Sequence, residues 1–485
     1  MTTFNSPKTH YYFALGFFLA MLSACVSSPN SNSMNHAEMI DSSIIAPSLD
    51  SLRPANSLAA FFVNADSGSD SADGLSPETA WKTLDRVHNI EFKPGTIVKL
   101  ARGSVWKKQH LLLDQNVIGT PQAPIVFESY GKGDAPTIST PRALWNKSQS
   151  FPAIAFSNGA SYVRVLDIRL IDGGGETAII MSDDSHHLTL AGLEISGYGT
   201  GIGLQGEHQK VLSNYIHDIG STGDGSGIGI GMVGKDLEIA WNRMERCQLL
   251  RSGKDDGGAF EFYNYRSDVG YDYVSDSIRI HHNRIRFCFD FMESYGNATN
   301  MVIAYNAYSE SPNEALEFHF DDSEHATWTH VCTYDVLIEH NTFASATDAA
   351  TEGWGIIGLL VDWVPEHNPD TTQSHITFRN NIFATNYRVI AFKNVLGSSL
   401  AHDHNLYQFS GEGKPTNDIE GFVLDSTEHI TDSLFADLSI ANIQLRETSA
   451  AIDAGTISEF STDILNNLVP TGMAPDIGAY EFISK

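Results

Sequence analysis

The chain has 485 residues, with 59 Asp and Glu against 30 Lys and Arg, for a formal net charge of -29. That balance argues against nucleic acid or an anionic membrane surface as a partner, because both need a basic footprint. It leaves a neutral or weakly charged ligand easy to accept. Length alone allows one to three domains.

Residues 1–25 carry an export pattern. Lys8 supplies a positive charge, and Tyr11 to Leu22 is an apolar stretch too short to span a bilayer. Leu22-Ser23-Ala24-Cys25 follows and resembles the bacterial lipobox. The resemblance implies that Cys25 becomes the lipidated first residue of an exported lipoprotein; an ordinary cleaved signal peptide is the alternative. Val26, in place of Asp, points to the outer membrane, on its periplasmic or cell-surface face. Residues 26–57 are rich in Ser, Asn and Ala and are expected to form a flexible tether. Beyond Cys25 only Cys247, Cys288 and Cys332 remain, which describes neither a disulfide framework nor a clustered metal site.

Residues 58–482 form the expected folded domain. Phe61 to Val87 contains a strand followed by Ser76-Pro77, a helix start with a hydroxyl cap and Pro at the first helical position. Further on, VLSNYI, IAWNRM, IHHNRI, IAYNAY, IEHNTF and FRNNIF place Asn214, Asn242, Asn283, Asn306, Asn341 and Asn381 at one equivalent position, with Asn405 a seventh. The spacing suits solenoid repeats with loop insertions. No amphipathic helices separate the strands, which excludes a βαβ sheet. Inward asparagines in successive coils can bond amide to amide along the stacking direction. Cys247 and Cys288 each follow a ladder Asn by five residues, so they should stack as buried thiols.

These Asn-bearing coils resemble the right-handed parallel β-helix superfamily of pectate lyases and related glycosidases. The N-terminal strand and capping helix, and the closing segments Ala451 to Gly455 and Asp476 to Phe482, resemble the same group. The resemblance implies an all-β right-handed parallel β-helix with an N-terminal capping helix; a monomer is expected. It does not by itself assign chemistry, because the fold hosts lyases, hydrolases, epimerases and binding proteins.

A second series of strands precedes the Asn strands: GIGLQG, GIGIGM, AFEFYN, FMESYG, ALEFHF, GLLVDW and IAFKN. With apolar residues inward, the first outward column reads Gly203, Gly229, Glu261, Glu293, Glu317, Leu360 and Ala391. The second reads Gln205, Gly231, Tyr263, Tyr295, His319, Asp362 and Lys393. Three consecutive coils thus stack Glu261, Glu293 and Glu317 about 4.8 Å apart. Like charges directly opposite one another on adjacent strands are destabilising, so the stack points to function. One carboxyl of such a group is driven towards its protonated form while another stays ionised, the pair that glycoside hydrolysis needs. Adjacent coils give the spacing of a retaining mechanism; Glu261 with Glu317 would suit inversion.

Tyr263, Tyr295 and His319, with Arg266, Asp362, Trp363 and Lys393, are the expected substrate-binding residues. Asp255-Asp256-Gly257-Gly258-Ala259 and Asp321-Asp322 resemble the DGGA and DD elements of β-helix glycosidases, including β-xylosidases and α-L-fucosidases. That resemblance makes Asp256, Asp321 and Asp322 further candidate catalytic carboxylates. Phe260-Glu261 departs from the family's aliphatic-Tyr pair after DGGA, so the subfamily stays open. The expectation is a glycoside hydrolase on a polysaccharide or oligosaccharide, needing no cofactor. The alternatives are a polysaccharide lyase, with Ca²⁺ held by Glu261, Glu293 and Glu317 and Arg266, His319 or Lys393 as base or neutralising charge, and a surface glycan-binding protein.

Overall fold

The computed structural model describes residues 48–53, 59–141, 151–174, 176–221, 226–248, 257–263, 273–310, 315–319, 332–344, 357–360, 374–385, 390–393, 400–409, 424–433, 435–437 and 442–484. Short strands pair in parallel with the equivalent strand one coil on, and they form three stacks. One runs Leu111–Leu113, Ile154–Phe156, Thr177–Met181, Thr200–Glu207 and onward through Gly258–Phe262, Asp290–Ser294, Leu316–His319, Ile357–Leu360 and Ile390–Lys393. A second contains Val274–His281, Asn297–Ala304, Tyr334–Glu339 and His375–Arg379. The third contains Arg243–Cys247, Arg284–Arg286, Ala307–Ser309 and Thr342–Ala344. Three parallel stacks wound in this order make a parallel β-helix.

Alternation puts every second side chain inside. Ile230, Phe260, Met292 and Leu316 follow one another in register and are fully buried. The corner between the second and third stacks holds the asparagines. Asn214 Nδ2 donates to Asn242 Oδ1 at 2.9 Å, and the same bond recurs to Asn283, Asn306, Asn341, Asn381 and Asn405 at 2.9–3.1 Å. Each acceptor oxygen also takes the preceding asparagine's backbone N–H. The sequence did not reveal how the series ends. Buried Glu428 accepts from Asn405 Nδ2 at 2.9 Å and from the Tyr407 hydroxyl at 2.8 Å.

The thiols stack as expected: the Cys247 backbone N–H donates to Cys288 Sγ at 3.3 Å, and both are free and buried. The expected capping helix takes the form of two 3-10 turns, Pro77–Thr79 and Leu84–Asn89, the first closed by a reciprocal Ser76–Thr79 capping box. Within the segment read as a tether, Leu49–Leu52 form another 3-10 turn. Leu49 and Leu52 lie against the external column Ile97, Val126, Leu166, Ala191, Leu212 and Ala240.

Residues 453–482 run back along the Asn corner as a strap. Before each ladder asparagine a residue adopts the left-handed conformation, among them His282, Tyr305, His340 and Asn380 at φ 50–57°. Their side chains point outward and meet the strap. His282 Nε2 bonds the Thr462 carbonyl, and the Ala479 N–H donates to Thr342 Oγ1. Asn380 Nδ2 lies 2.8 Å from His340 Nε2, and His340 meets two carbonyls, Asp476 at Nδ1 and Thr456 at Nε2, each at 3.1 Å. Burial, opposed by these carbonyl contacts, holds the pKa of both His282 and His340 down at about 4.

Glu339 is buried beneath the same strap, opposite Arg379 of the next coil. Among the described residues its Oε1 accepts no hydrogen bond. Burial, with Arg379 opposing and Glu459 adding, lifts its pKa from 4.5 to about 7. A folded pKa above the unfolded one means that the unfolded chain ionises first, so stability falls as pH rises from about 4.5 to about 7. Glu339→Gln should therefore be more stable than the parent by about 2–3 kcal/mol at pH 8, with the gap closing towards pH 4.5. Thermal melts of both proteins across that range test this, and a gap independent of pH would contradict it.

Candidate active site

The glutamate column forms on the stack that contains Gly258–Phe262, Asp290–Ser294 and Leu316–His319. Glu261 pairs in register with Glu293, and Glu293 with Glu317. The turn into the first of these strands requires glycine. Gly257 has φ +94°, and a Cβ there would lie 2.7 Å from the carbonyl oxygens of Ser226 and Gly227.

Two neighbours of the column differ from the expected register. Gly231, not Gly229, stands opposite Glu261 on one side, and Gly358, not Leu360, stands opposite Glu317 on the other. A two-residue slip leaves the alternation of GIGIGM intact, and the apolar run in GLLVDW does not mark which residues face in. The buried side chains settle the first register by stacking in two core rows, Ile202–Ile230–Phe260 and Leu204–Met232–Phe262. The first column is therefore Gly203, Gly231, Glu261, Glu293, Glu317, Gly358 and Ala391: three carboxylates flanked by residues with little or no side chain.

The second column changes correspondingly. Leu360, and not Asp362, pairs with His319, and Lys393 follows opposite Leu360. Asp256, Arg266, Asp321, Asp322, Asp362 and Trp363, and Cys25, the expected lipidation site, lie outside the described residues.

Tyr295 and His319 are drawn onto the glutamates. Their rings stack at 4.1 Å with an 18° interplanar angle. The Tyr295 hydroxyl donates to Glu293 Oε1. His319 Nε2 lies 3.3 Å from Glu293 Oε1 and 3.3 Å from Glu317 Oε1. The carboxylates are only 21% and 17% exposed, and the His319 side chain 7%. Burial first, and then the charges of Glu293, Glu317 and Glu261, push the Tyr295 hydroxyl well above the usual tyrosine range, which keeps it a donor. Tyr263 turns the other way. Its ring fills the lane over Gly231, where a Cβ would stand 2.5 Å from Tyr263 Cε2.

Two further features were not anticipated. Asp290 opens the Glu293 strand opposite Gly258 and is 3% exposed, a buried carboxyl three residues before Glu293. Its signal was an acid at an inward position of an otherwise apolar strand. Cys332, to which no role was assigned, is buried, and its thiol donates to the Tyr295 carbonyl at 3.3 Å.

No protein-family model matches the chain, and no curated protein does. Solved structures do. A protein named XylC, in complex with xylose, is 10% identical with a TM-score of 0.50, covering 88% of this chain and 99% of that one. The chain is a right-handed parallel β-helix protein. Pectate lyase Pel9A is 13% identical over 88% of this chain and 97% of its own, with a TM-score of 0.45. A lacto-N-biosidase from Eubacterium ramulus is 15% identical over 76% and 67%, with a TM-score of 0.39. At these identities the likeness is one of fold.

Tyr295→Phe removes the donor to Glu293 and keeps the ring stacked on His319. Losing one hydrogen bond to a largely buried carboxyl costs about 1–2 kcal/mol, so the variant should melt below the parent. An unchanged melting temperature would show that this bond adds nothing to the packing of the column.

Proposed function

We propose that this protein is a glycoside hydrolase acting on a polysaccharide or oligosaccharide, with Glu261 as general acid and Glu293 as nucleophile. The observation that carries this reading is the register Glu261–Glu293–Glu317 on three adjacent coils. Three carboxyls at one strand spacing cannot all ionise freely. Hydrogen bonding to a charged form favours that form, so the Tyr295 hydroxyl supports Glu293 as a carboxylate. His319 approaches Glu293 and Glu317 from the same side, which leaves Glu261 as the member suited to carry the proton. Adjacent coils, about 4.8 Å apart, match the roughly 5 Å separation of retaining enzymes.

In this scheme Glu261 protonates the glycosidic oxygen while Glu293 attacks the anomeric carbon. Glu261 then takes a proton from the water that releases the sugar. On one side the ladder is flanked by Gly358, which has no side chain, and on the other the Tyr263 ring over Gly231 offers a face for a sugar to stack on. A carbohydrate substrate accords with the xylose bound by the similar XylC structure. Glu261→Gln and Glu293→Gln should each lower turnover on a responsive glycan by about 10²–10⁴-fold, and NMR of the first product should show the anomeric configuration retained. Inversion, or an unsaturated, ultraviolet-absorbing chain end from β-elimination, would overturn the scheme.

We further propose that Cys25 carries the lipid, that the chain from residue 26 up to the docked Leu49–Leu52 turn spans from membrane to enzyme, and that the anchor sits in the outer membrane. Labelled palmitate should enter the parent chain and not Cys25→Ser; equal labelling of both would refute the anchor.

A further inference from the structure

We infer that Glu293, Glu317 and His319 bind a four-coordinate divalent ion of the zinc class, and that the bound ion inhibits the site by occupying its nucleophile. The regulatory half rests on the hydrolase reading; the binding half does not.

Each of the three residues offers one ligand atom, and these atoms all lie within 4.8 Å of one another. The two distances from His319 Nε2, 3.3 Å to each carboxylate oxygen, are the informative ones. A charge-assisted N–H···O contact closes to about 2.7–2.9 Å, and the single hydrogen on Nε2 cannot aim at two oxygens at once. Ligands about 2.0–2.1 Å from a tetrahedral ion lie about 3.3–3.4 Å from one another. Both observed separations match that edge.

The surroundings also suit a ligand set. The three side chains are already largely withdrawn from water, and the stacked Tyr295 ring fixes the imidazole plane. The Tyr295 hydroxyl donates to Glu293 Oε1, as hydrogen bonds to metal-ligating carboxylates do. An imidazole nitrogen beside two carboxylates selects a zinc-like ion over Ca²⁺, which takes six to eight oxygens at about 2.3–2.6 Å. Three protein ligands leave one tetrahedral position for water. Binding requires His319 neutral, so any proton on Nε2 leaves to solvent. An ion held there ties up the electron pairs of Glu293 and Glu317, and Glu293 can no longer attack a sugar.

The full chain, freed of metal with a chelator, is titrated with ZnCl₂ in a calorimeter. One site of micromolar affinity or tighter is expected, with CoCl₂ giving the visible absorption of a four-coordinate centre. His319→Gln and Glu317→Gln should each weaken that site at least tenfold while melting near the parent temperature, and Glu459→Gln, an acid of the strap, should leave it unchanged. Absence of the site, or its survival in both variants, overturns the inference. In a hydrolysis assay, turnover should fall in step with zinc occupancy; full turnover by the zinc-loaded protein overturns the inhibitory role. Zinc binding by a chain that cleaves no glycan upholds the site and removes the hydrolase reading instead.

Discussion

From Asn214 to Asn405 each coil is joined to the next by a buried amide at one corner. The asparagine series from Asn214 to Asn405 satisfies its own donors and acceptors coil by coil and closes on Glu428. Buried polar groups are tolerable only when they are paired, so this corner sets how each coil can sit on its neighbour. An apolar side chain there would fill space without specifying register. An amide must meet its equivalent, and a strand that slipped by one residue would leave it unpaired.

The catalytic proposal inherits that constraint. Glu261, Glu293 and Glu317 belong to strands separated by insertions of different length, yet they arrive in one column because the ladder fixes the coil in which each strand stands. The stack of like charges is then held by what surrounds it. Tyr295 and His319 lie against Glu293 and Glu317 and oppose their repulsion with a hydroxyl and an imidazole. The rigid solenoid thus imposes a carboxylate spacing that free side chains would avoid.

Most of the fold was legible in the sequence because its two determinants are short-range patterns: strand alternation, and Asn at an equivalent place in each coil. The three glutamates were legible for the same reason. The flanking register was not. Gly229 and Gly231 are interchangeable in a Gly-Ile alternation, and only the packing of Met232 against its inward neighbours distinguishes them. Side-chain direction was equally hidden: nothing in the spacing of Tyr263 and Tyr295 says that one leans over Gly231 and the other reaches Glu293. Glu428 was missed because it is a lone acid whose meaning comes from a coil distant in sequence.

A solenoid held only by contacts between neighbours behaves as a one-dimensional zipper, free to open from an end one repeat at a time. The strap over residues 453–482 alters that behaviour. It bonds to His282, to His340 and Thr342, and to Asn380, on three coils, so coils that do not touch one another share a common tie. The last turns cannot fray independently while it is seated. The C-terminal half, which contains the carboxylate column, is thereby made a single cooperative block whose loss begins with the strap peeling away.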